Sequence, residues 1–95
     1  MDNGKTSFLK KMSEQLLVWD SQVDELKKKA EQAKGAAREE YGKQIKELAA
    51  QKEALSIKFR ELNKSGDEAW EILKTGVEKA ATDLKATFKN AFLKF

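Results

Sequence analysis

The amino-acid sequence predicts an all-α protein, and three observations support that prediction. Proline is absent, and alanine, leucine, lysine, glutamate and glutamine dominate the 95 residues, which is typical of long helices and coiled coils. Apolar residues recur at helical spacing along two stretches, and a cluster of turn-forming residues separates these stretches. We therefore expect one domain in which a long helix is followed by a shorter helix that folds back on it.

The long helix is predicted over residues 8–62, after an N-terminal tail of residues 1–7. Its apolar positions alternate steps of four and three residues, as in the seam of a coiled coil. A polar Lys52 interrupts the repeat. The part of the predicted interaction seam on this helix consists of Met12, Leu16, Trp19, Val23, Leu26, Ile45, Leu48, Leu55, Phe59 and Leu62.

The repeat changes between Ala33 and Ile45, where every step is four residues and Gly35 and Gly42 lie alongside. An added residue of this kind alters the supercoil locally. The surrounding residues are good helix formers, and each glycine costs only about 1 kcal/mol, so we expect a continuous helix. The alternative is a break within residues 34–42 that turns the chain near Gly35.

The second helix is predicted over residues 67–95, after a turn at residues 63–66. Ser65 and Glu68 have the spacing of a capping box, and Gly66 supplies turn freedom between them. The apolar residues of this helix form one stripe, at about 100° per residue, and so predict an amphipathic helix. The second part of the interaction seam is Trp70, Leu73, Val77 and Leu84.

The N-terminal half of the long helix extends beyond the reach of the second helix and needs another apolar cover. An antiparallel dimer that crosses at Gly35 would place Val23 near Leu48 of the other chain, and Leu26 near Ile45. We expect this antiparallel coiled-coil dimer. The alternative, a chain that bends at Gly35, forms the same contacts within a monomeric three-helix bundle, and the two states are related as a domain swap.

No sequence pattern predicts catalysis, a metal site or a cofactor. Cysteine and histidine are absent, which excludes a thiol nucleophile, an imidazole base and a zinc site of the usual type. The carboxylate pairs Glu39 with Glu40 and Asp20 with Asp24 fall on predicted exposed faces beside basic residues. The net charge of +3 arises from interleaved signs, which does not favour nucleic-acid binding. We expect a non-catalytic protein without a cofactor.

The C-terminal residues combine aromatic and basic side chains. No acidic residue follows Asp83. We expect these phenylalanines to belong to the core; the alternative is a face for anionic lipid or another hydrophobic surface, of which a helix with aromatic side chains flanked by lysines is typical. The predicted lipid or partner face consists of Lys85, Phe88, Lys89, Phe92, Lys94 and Phe95.

Three stretches, MSEQLLVWDSQVDELKKKAEQA, EEYGKQIKEL and GDEAWEILKTGVEKAATDLKATF, resemble a group of small bacterial coiled-coil domain-containing proteins of uncharacterised function. The resemblance covers nearly the whole chain and implies a coiled-coil fold, but it implies no activity, cofactor or site residue. Gly35 and Gly42 depart from the group, in which we expect ordinary helix formers. The helices are also distantly similar in type to those of exchangeable apolipoproteins. The most recognisable positions are Trp19, Asp24, Leu26, Tyr41, Ile45, Leu48 and residues 67–70.

Together, these observations predict a coiled-coil interaction or scaffold protein that pairs helices with a second copy of itself and with another protein. The alternative is a protein that binds lipid or hydrophobic surfaces peripherally through its C-terminal helix. No run of about 18 apolar residues is present, and the first residues lack the apolar stretch of a signal peptide. We therefore expect a cytoplasmic protein that can contact a membrane from its surface.

Overall fold

The computed structural model describes residues 3–94, which form three α-helices joined by two short turns. Helix α1 spans Asn3–Gln32, α2 spans Ala36–Lys64 and α3 spans Asp67–Lys94. No strand occurs within the described residues, and Phe95 lies outside them. The predicted all-α class is confirmed.

The prediction of one continuous helix over residues 8–62 is wrong, because the chain turns between α1 and α2. Gly35 precedes α2 with φ 64° and ψ −137°, a conformation that side-chain-bearing residues rarely adopt. Its carbonyl accepts hydrogen bonds from the amides of Arg38 and Glu39, at 3.1 and 3.4 Å, and these open α2. Helix propensity alone predicted a continuous helix, because propensity takes no account of the apolar surface that is buried when α1 folds back onto α2.

The first helix also begins earlier than predicted. Residues 3–7 were expected to belong to a tail, but they form the first turns of α1. Side chains at this end of α1 reach α3: Lys5 pairs with Asp67, and the neighbouring Phe8 packs its ring edge against Trp70. These contacts with α3 stabilise the helical start of α1, which the local sequence alone did not predict.

The second turn is shorter than the predicted 63–66, because α2 continues to Lys64. The Ser65 hydroxyl donates a hydrogen bond to the Leu62 carbonyl at 2.7 Å, and the Ser65 amide donates to the same oxygen at 3.1 Å. Ser65 therefore ends α2 and does not form a capping box with Glu68. The carbonyl of Gly66 accepts from the Trp70 amide at 3.1 Å and opens α3.

The helices lie side by side in a molecule with extents of 53 × 18 × 18 Å. A turn of three residues joins α1 to α2, and Lys52 of α2 pairs with Asp20 of α1, midway along both helices, so α1 and α2 are antiparallel neighbours. The Tyr41 hydroxyl, near the start of α2, donates to the carbonyl of Lys94 at the end of α3, at 3.4 Å. Helices α2 and α3 are thus antiparallel too, which makes α1 and α3 parallel.

The core between the helices is apolar. Among the described residues, no polar or charged residue is buried as a whole, and the half-buried Gln51 places its Oε1 atom out of contact with solvent. Each large apolar side chain that is removed from water stabilises the fold by about 1.5–3 kcal/mol before the entropy cost of ordering the chain. The buried side chains are Trp19, Val23, Leu26 and Ala30 of α1, Ile45, Leu48, Leu55 and Leu62 of α2, and Trp70, Val77, Leu84, Phe88 and Ala91 of α3.

Candidate functional site

Thirteen of the fourteen residues of the predicted interaction seam lie in the core or against it. Leu26, Leu48, Leu55 and Val77 are 0% exposed. The others that are buried are Trp19, Val23, Ile45, Leu62, Trp70 and Leu84, and those packed partly buried against them are Met12, Leu16 and Leu73. Phe59 is half-buried and is not part of this core cluster. The seam therefore faces the inside of this single chain.

The polar interruption of the seam has a structural partner. Lys52 was predicted only as a gap in the apolar repeat, and it forms an ion pair with Asp20 across the α1–α2 boundary. This pair sets α1 against α2 at a register in which Val23 and Leu48 lie at nearly the same level. That is the register that the sequence predicted between two chains, here formed within one.

The predicted C-terminal face is divided between the core and the surface. Phe88 is 3% exposed and stacks on Trp19, with ring centroids 5.9 Å apart and planes 5° apart. Phe92 is half-buried beneath Lys29, whose Nζ lies 5.6 Å from the ring centroid. The three lysines of the face, Lys85, Lys89 and Lys94, are exposed, and Phe95 lies outside the described residues.

Leu93 is an exposed side chain that the predicted face did not include. It is 77% exposed and lies between Phe92 and Lys94. The helical spacing places Leu93 off the apolar stripe, so its exposure could have been predicted from the sequence. Leu93 makes the end of α3 more apolar at its surface than the stripe alone would indicate.

Helices α1 and α3 meet through aromatic rings that lysines cover. Phe8 contacts Trp70 edge to face, with ring centroids 6.1 Å apart and planes 82° apart. Lys5 Nζ lies 5.1 Å from the Trp70 ring centroid, and Lys74 Nζ lies 5.3 Å from that of Phe8. Each such cation–π contact contributes about 0.5–1 kcal/mol at an exposed site. Long side chains therefore bridge these two helices and leave space between them.

That space is a groove of about 280 Å³ between α1 and α3. Its apolar part is formed by Phe8, Met12, Trp19 and Ala81. Its polar part is formed by Lys11 and Gln15 of α1 and by Thr82 and Lys85 of α3. No residue of this lining is acidic, so the groove combines an apolar floor with two positive charges. Sequence reasoning missed the groove because it paired α1 only with α2.

Asp67, the first residue of α3, faces Lys5 near the start of α1 and has a lowered pKa. A hydrogen bond from Lys5, and then its positive charge, hold the pKa of the Asp67 carboxyl below its ordinary value of 3.8. The Asp67 side chain is 92% exposed, so water screens the pair and it contributes little to stability. The contact ties two helix ends together at the surface.

The carboxylate pairs noted in the sequence do not form a cluster. Glu39, Glu40 and Asp24 are exposed, and Asp20 is engaged with Lys52. Within residues 3–94, no group of three histidine, cysteine, aspartate or glutamate side chains is arranged to hold a metal ion. Across the same residues, no helix is both long enough and apolar enough to cross a membrane.

Comparison with known proteins adds no family to these observations. No protein-family model matches the chain, and neither the curated proteins nor the solved structures contain a match. The similarity to small bacterial coiled-coil domain-containing proteins therefore stays a prediction. The features that could serve a function are the seam, the end of α3 and the groove.

Proposed function

We propose that this protein is a non-catalytic interaction protein that acts by pairing helices. The observation that carries the proposal is the seam, in which Leu26, Leu48 and Leu55 are completely buried and the described core contains no polar side chain. Catalytic acids and bases depend on desolvated titratable groups, whereas the shifted carboxyl here, Asp67, is exposed in a surface ion pair. The most extensive feature of the chain is the set of apolar helix faces that pack against one another.

We further propose that the isolated chain is a monomeric three-helix bundle that can exchange α1 with a second copy. The turn at Gly35 and the Asp20–Lys52 pair support closure of α1 on α2 of the same chain. Release of α1 would expose the seam of α2, which a second copy or a helix of another protein could cover. The antiparallel dimer expected from the sequence is the swapped form of this bundle.

A matched pair of variants on α1 tests the role of the seam. Leu26→Asp places a carboxylate in the core, which costs several kcal/mol because the buried charge has no partner. Leu17, on the same helix, is 65% exposed, so Leu17→Asp should leave the melting curve nearly unchanged. Circular dichroism at increasing temperature should show that cooperative melting is lost only in Leu26→Asp. Equal melting of both variants would contradict the role of the seam.

Pairing between copies has its own measurement. Two preparations of the full chain that carry different affinity tags are mixed, warmed and cooled, and one tag is used to recover the other. We expect exchange that increases with protein concentration, since a swapped pair forms from two molecules. If no mixed pairs are recovered at any concentration, pairing between copies is refuted, and the seam serves only to fold the monomer.

A second candidate function, peripheral binding to an anionic lipid surface, is favoured by the end of α3. Leu93 is largely exposed beside half-buried Phe92, with Lys89 and Lys94 alongside and no acidic residue after Asp83. An apolar side chain surrounded by lysines suits the boundary between lipid headgroups and acyl chains. Because Phe88 is buried, this surface would consist of residues 92–94 and the neighbouring lysines, unless α3 separates from α1.

Two exposed side chains of α3 allow a controlled test of this second candidate. Leu93 and Ile72 are 77% and 76% exposed, so aspartate at either position changes charge and surface hydrophobicity alike. The full chain is mixed with anionic vesicles at low salt and floated on a density gradient. We expect wild type and Ile72→Asp to float and Leu93→Asp to remain at the bottom. Flotation of Leu93→Asp with the other two would refute this surface.

A further inference from the structure

The groove between α1 and α3 differs from three other grooves on the molecule in that its lining contains no acidic residue; the α1–α2 groove has the same net charge of +2, because Lys27, Arg38 and Lys46 outnumber its acidic residue. A groove between α1 and α2 includes Glu31, a groove at the starts of α1 and α3 includes Asp67 and Glu71, and a small one between α2 and α3 includes Asp83. The α1–α3 groove carries Lys11 and Lys85 with no acidic residue in its lining. Its field therefore favours a negatively charged ligand.

The floor of this groove is held in shape by the aromatic contacts between the two helices. Trp19 is stacked on Phe88, and Phe8 is fixed by its edge contact with Trp70. Met12 is a flexible apolar side chain that adapts to the shape of a ligand. These apolar side chains form the floor of a groove with a volume of about 280 Å³.

We propose that this groove binds one molecule of an anionic amphiphile with a single alkyl chain, such as a fatty-acid carboxylate, taken from solution. The alkyl chain lies along Phe8, Met12 and Trp19, and the carboxylate lies within reach of Lys11 and Lys85. Charge complementarity at the edge and apolar contact on the floor act on different parts of the ligand. They can therefore be tested separately.

The first experiment varies the ligand and keeps the full wild-type chain. Sodium octanoate, decanoate and dodecanoate are titrated below their micelle concentrations and followed by calorimetry and tryptophan fluorescence. We expect saturable one-to-one binding that tightens by about fourfold for each methylene placed on the apolar floor. Dodecyltrimethylammonium, with the same chain and the opposite charge, should bind at least about tenfold more weakly. Equal binding of the cation, or no saturable binding of dodecanoate, would overturn the proposal.

The second experiment varies the protein with a matched control. The double variant Lys11→Glu with Lys85→Glu reverses both charges at the groove, and Lys58→Glu with Lys79→Glu makes the same change at exposed positions outside it. We expect about tenfold weaker dodecanoate binding in the groove variant and less than about twofold change in the control. Equal weakening in both would show that only net charge matters, and would refute a site between these lysines.

A third variant, Ala81→Phe, fills the groove without a change of charge. We expect it to abolish binding while circular dichroism shows a folded helical protein. Unchanged dodecanoate binding by folded Ala81→Phe would exclude the groove. If Ala81→Phe does not fold, the charge variants still decide, because Lys11 and Lys85 are exposed. Binding to anionic vesicles without binding to dispersed dodecanoate would overturn the proposal and favour the end of α3 as a membrane surface.

Discussion

If the turned chain exchanges α1 as proposed, Gly35→Ala should shift the protein from the turned form towards an elongated dimer. Gly35 has φ 64° and ψ −137°, which an alanine adopts only at a cost of about 1–3 kcal/mol. A Cβ built on Gly35 meets no atom within 4 Å, so this cost comes from the backbone alone. In a helix, alanine is favoured over glycine by about 0.8–1.0 kcal/mol. The substitution therefore biases each chain by about 2–4 kcal/mol from a turn towards a continuous helix.

The expected change in shape is large enough to measure directly. A helix that continues from Asn3 to Lys64 would be about 93 Å long, at a rise of ~1.5 Å per residue. The longest extent of the turned chain is 53 Å, and its radius of gyration is 15.5 Å. Sedimentation equilibrium and small-angle X-ray scattering at several concentrations should show that Gly35→Ala dimerises at lower concentration than wild type, with a larger radius of gyration.

Gly42→Ala is the matched control for this prediction. Gly42 lies inside α2 without a positive φ, and a Cβ at this position also meets no atom within 4 Å. We expect Gly42→Ala to stabilise the helix by about 0.8–1.0 kcal/mol without a change in oligomeric state. If Gly35→Ala has the same mass and size as Gly42→Ala at every concentration, the role assigned to the Gly35 turn is refuted.

Three further predictions follow from contacts in the core and at the surface. Phe88→Ala should lower the free energy of unfolding by about 3–5 kcal/mol, measured in urea, because it removes the ring stacked on Trp19; a small effect would contradict its place in the core. Gln51→Met should raise the melting temperature by about 4–8 °C, since Gln51 Oε1 is buried with no hydrogen-bond partner among the described residues; lower stability would contradict this. Asp67→Asn should destabilise the folded protein slightly at neutral pH and not in strong acid. A carboxyl whose folded pKa is lowered stabilises the folded protein above its ordinary pKa of 3.8, and it loses that effect as pH falls through the folded pKa. A difference in melting temperature that persists in acid would exclude the Lys5 pair as its cause.

Much of the helical arrangement was predictable because helices that pair carry apolar residues at regular spacing in the sequence. The alternation of steps along Leu16, Val23 and Leu26 marked the face of α1 that the structure buries or partly buries. The cluster at Ser65 and Gly66 marked the turn before α3 within two residues. These features could be inferred since each depends on residues close together in the chain, on apolar spacing or on turn chemistry.

The groove was not predictable in the same way. Phe8 was the first residue of the predicted long helix, with no predicted neighbour, and Ala81 is a small residue of the second helix. Lys11 and Lys85 are 74 positions apart in the sequence, and nothing in their local spacing indicates that they border one groove. Only the parallel placement of α1 and α3, bridged by aromatic rings, brings them to the same site.

The sequence by itself determined that the chain is helical, which faces are apolar and where α3 begins, because these properties follow from local propensity and from spacing of 3.6 residues per turn. Tertiary structure decided whether the first seam continues or turns. Glycine at position 35 is less favourable in a continuous helix than alanine by about 1 kcal/mol, which is smaller than the gain from burying even one side chain such as Leu26 against α2. Contacts between helices therefore outweigh the local conformational preference at Gly35. The turn at this position brings α1 beside α3 and so creates the groove between them.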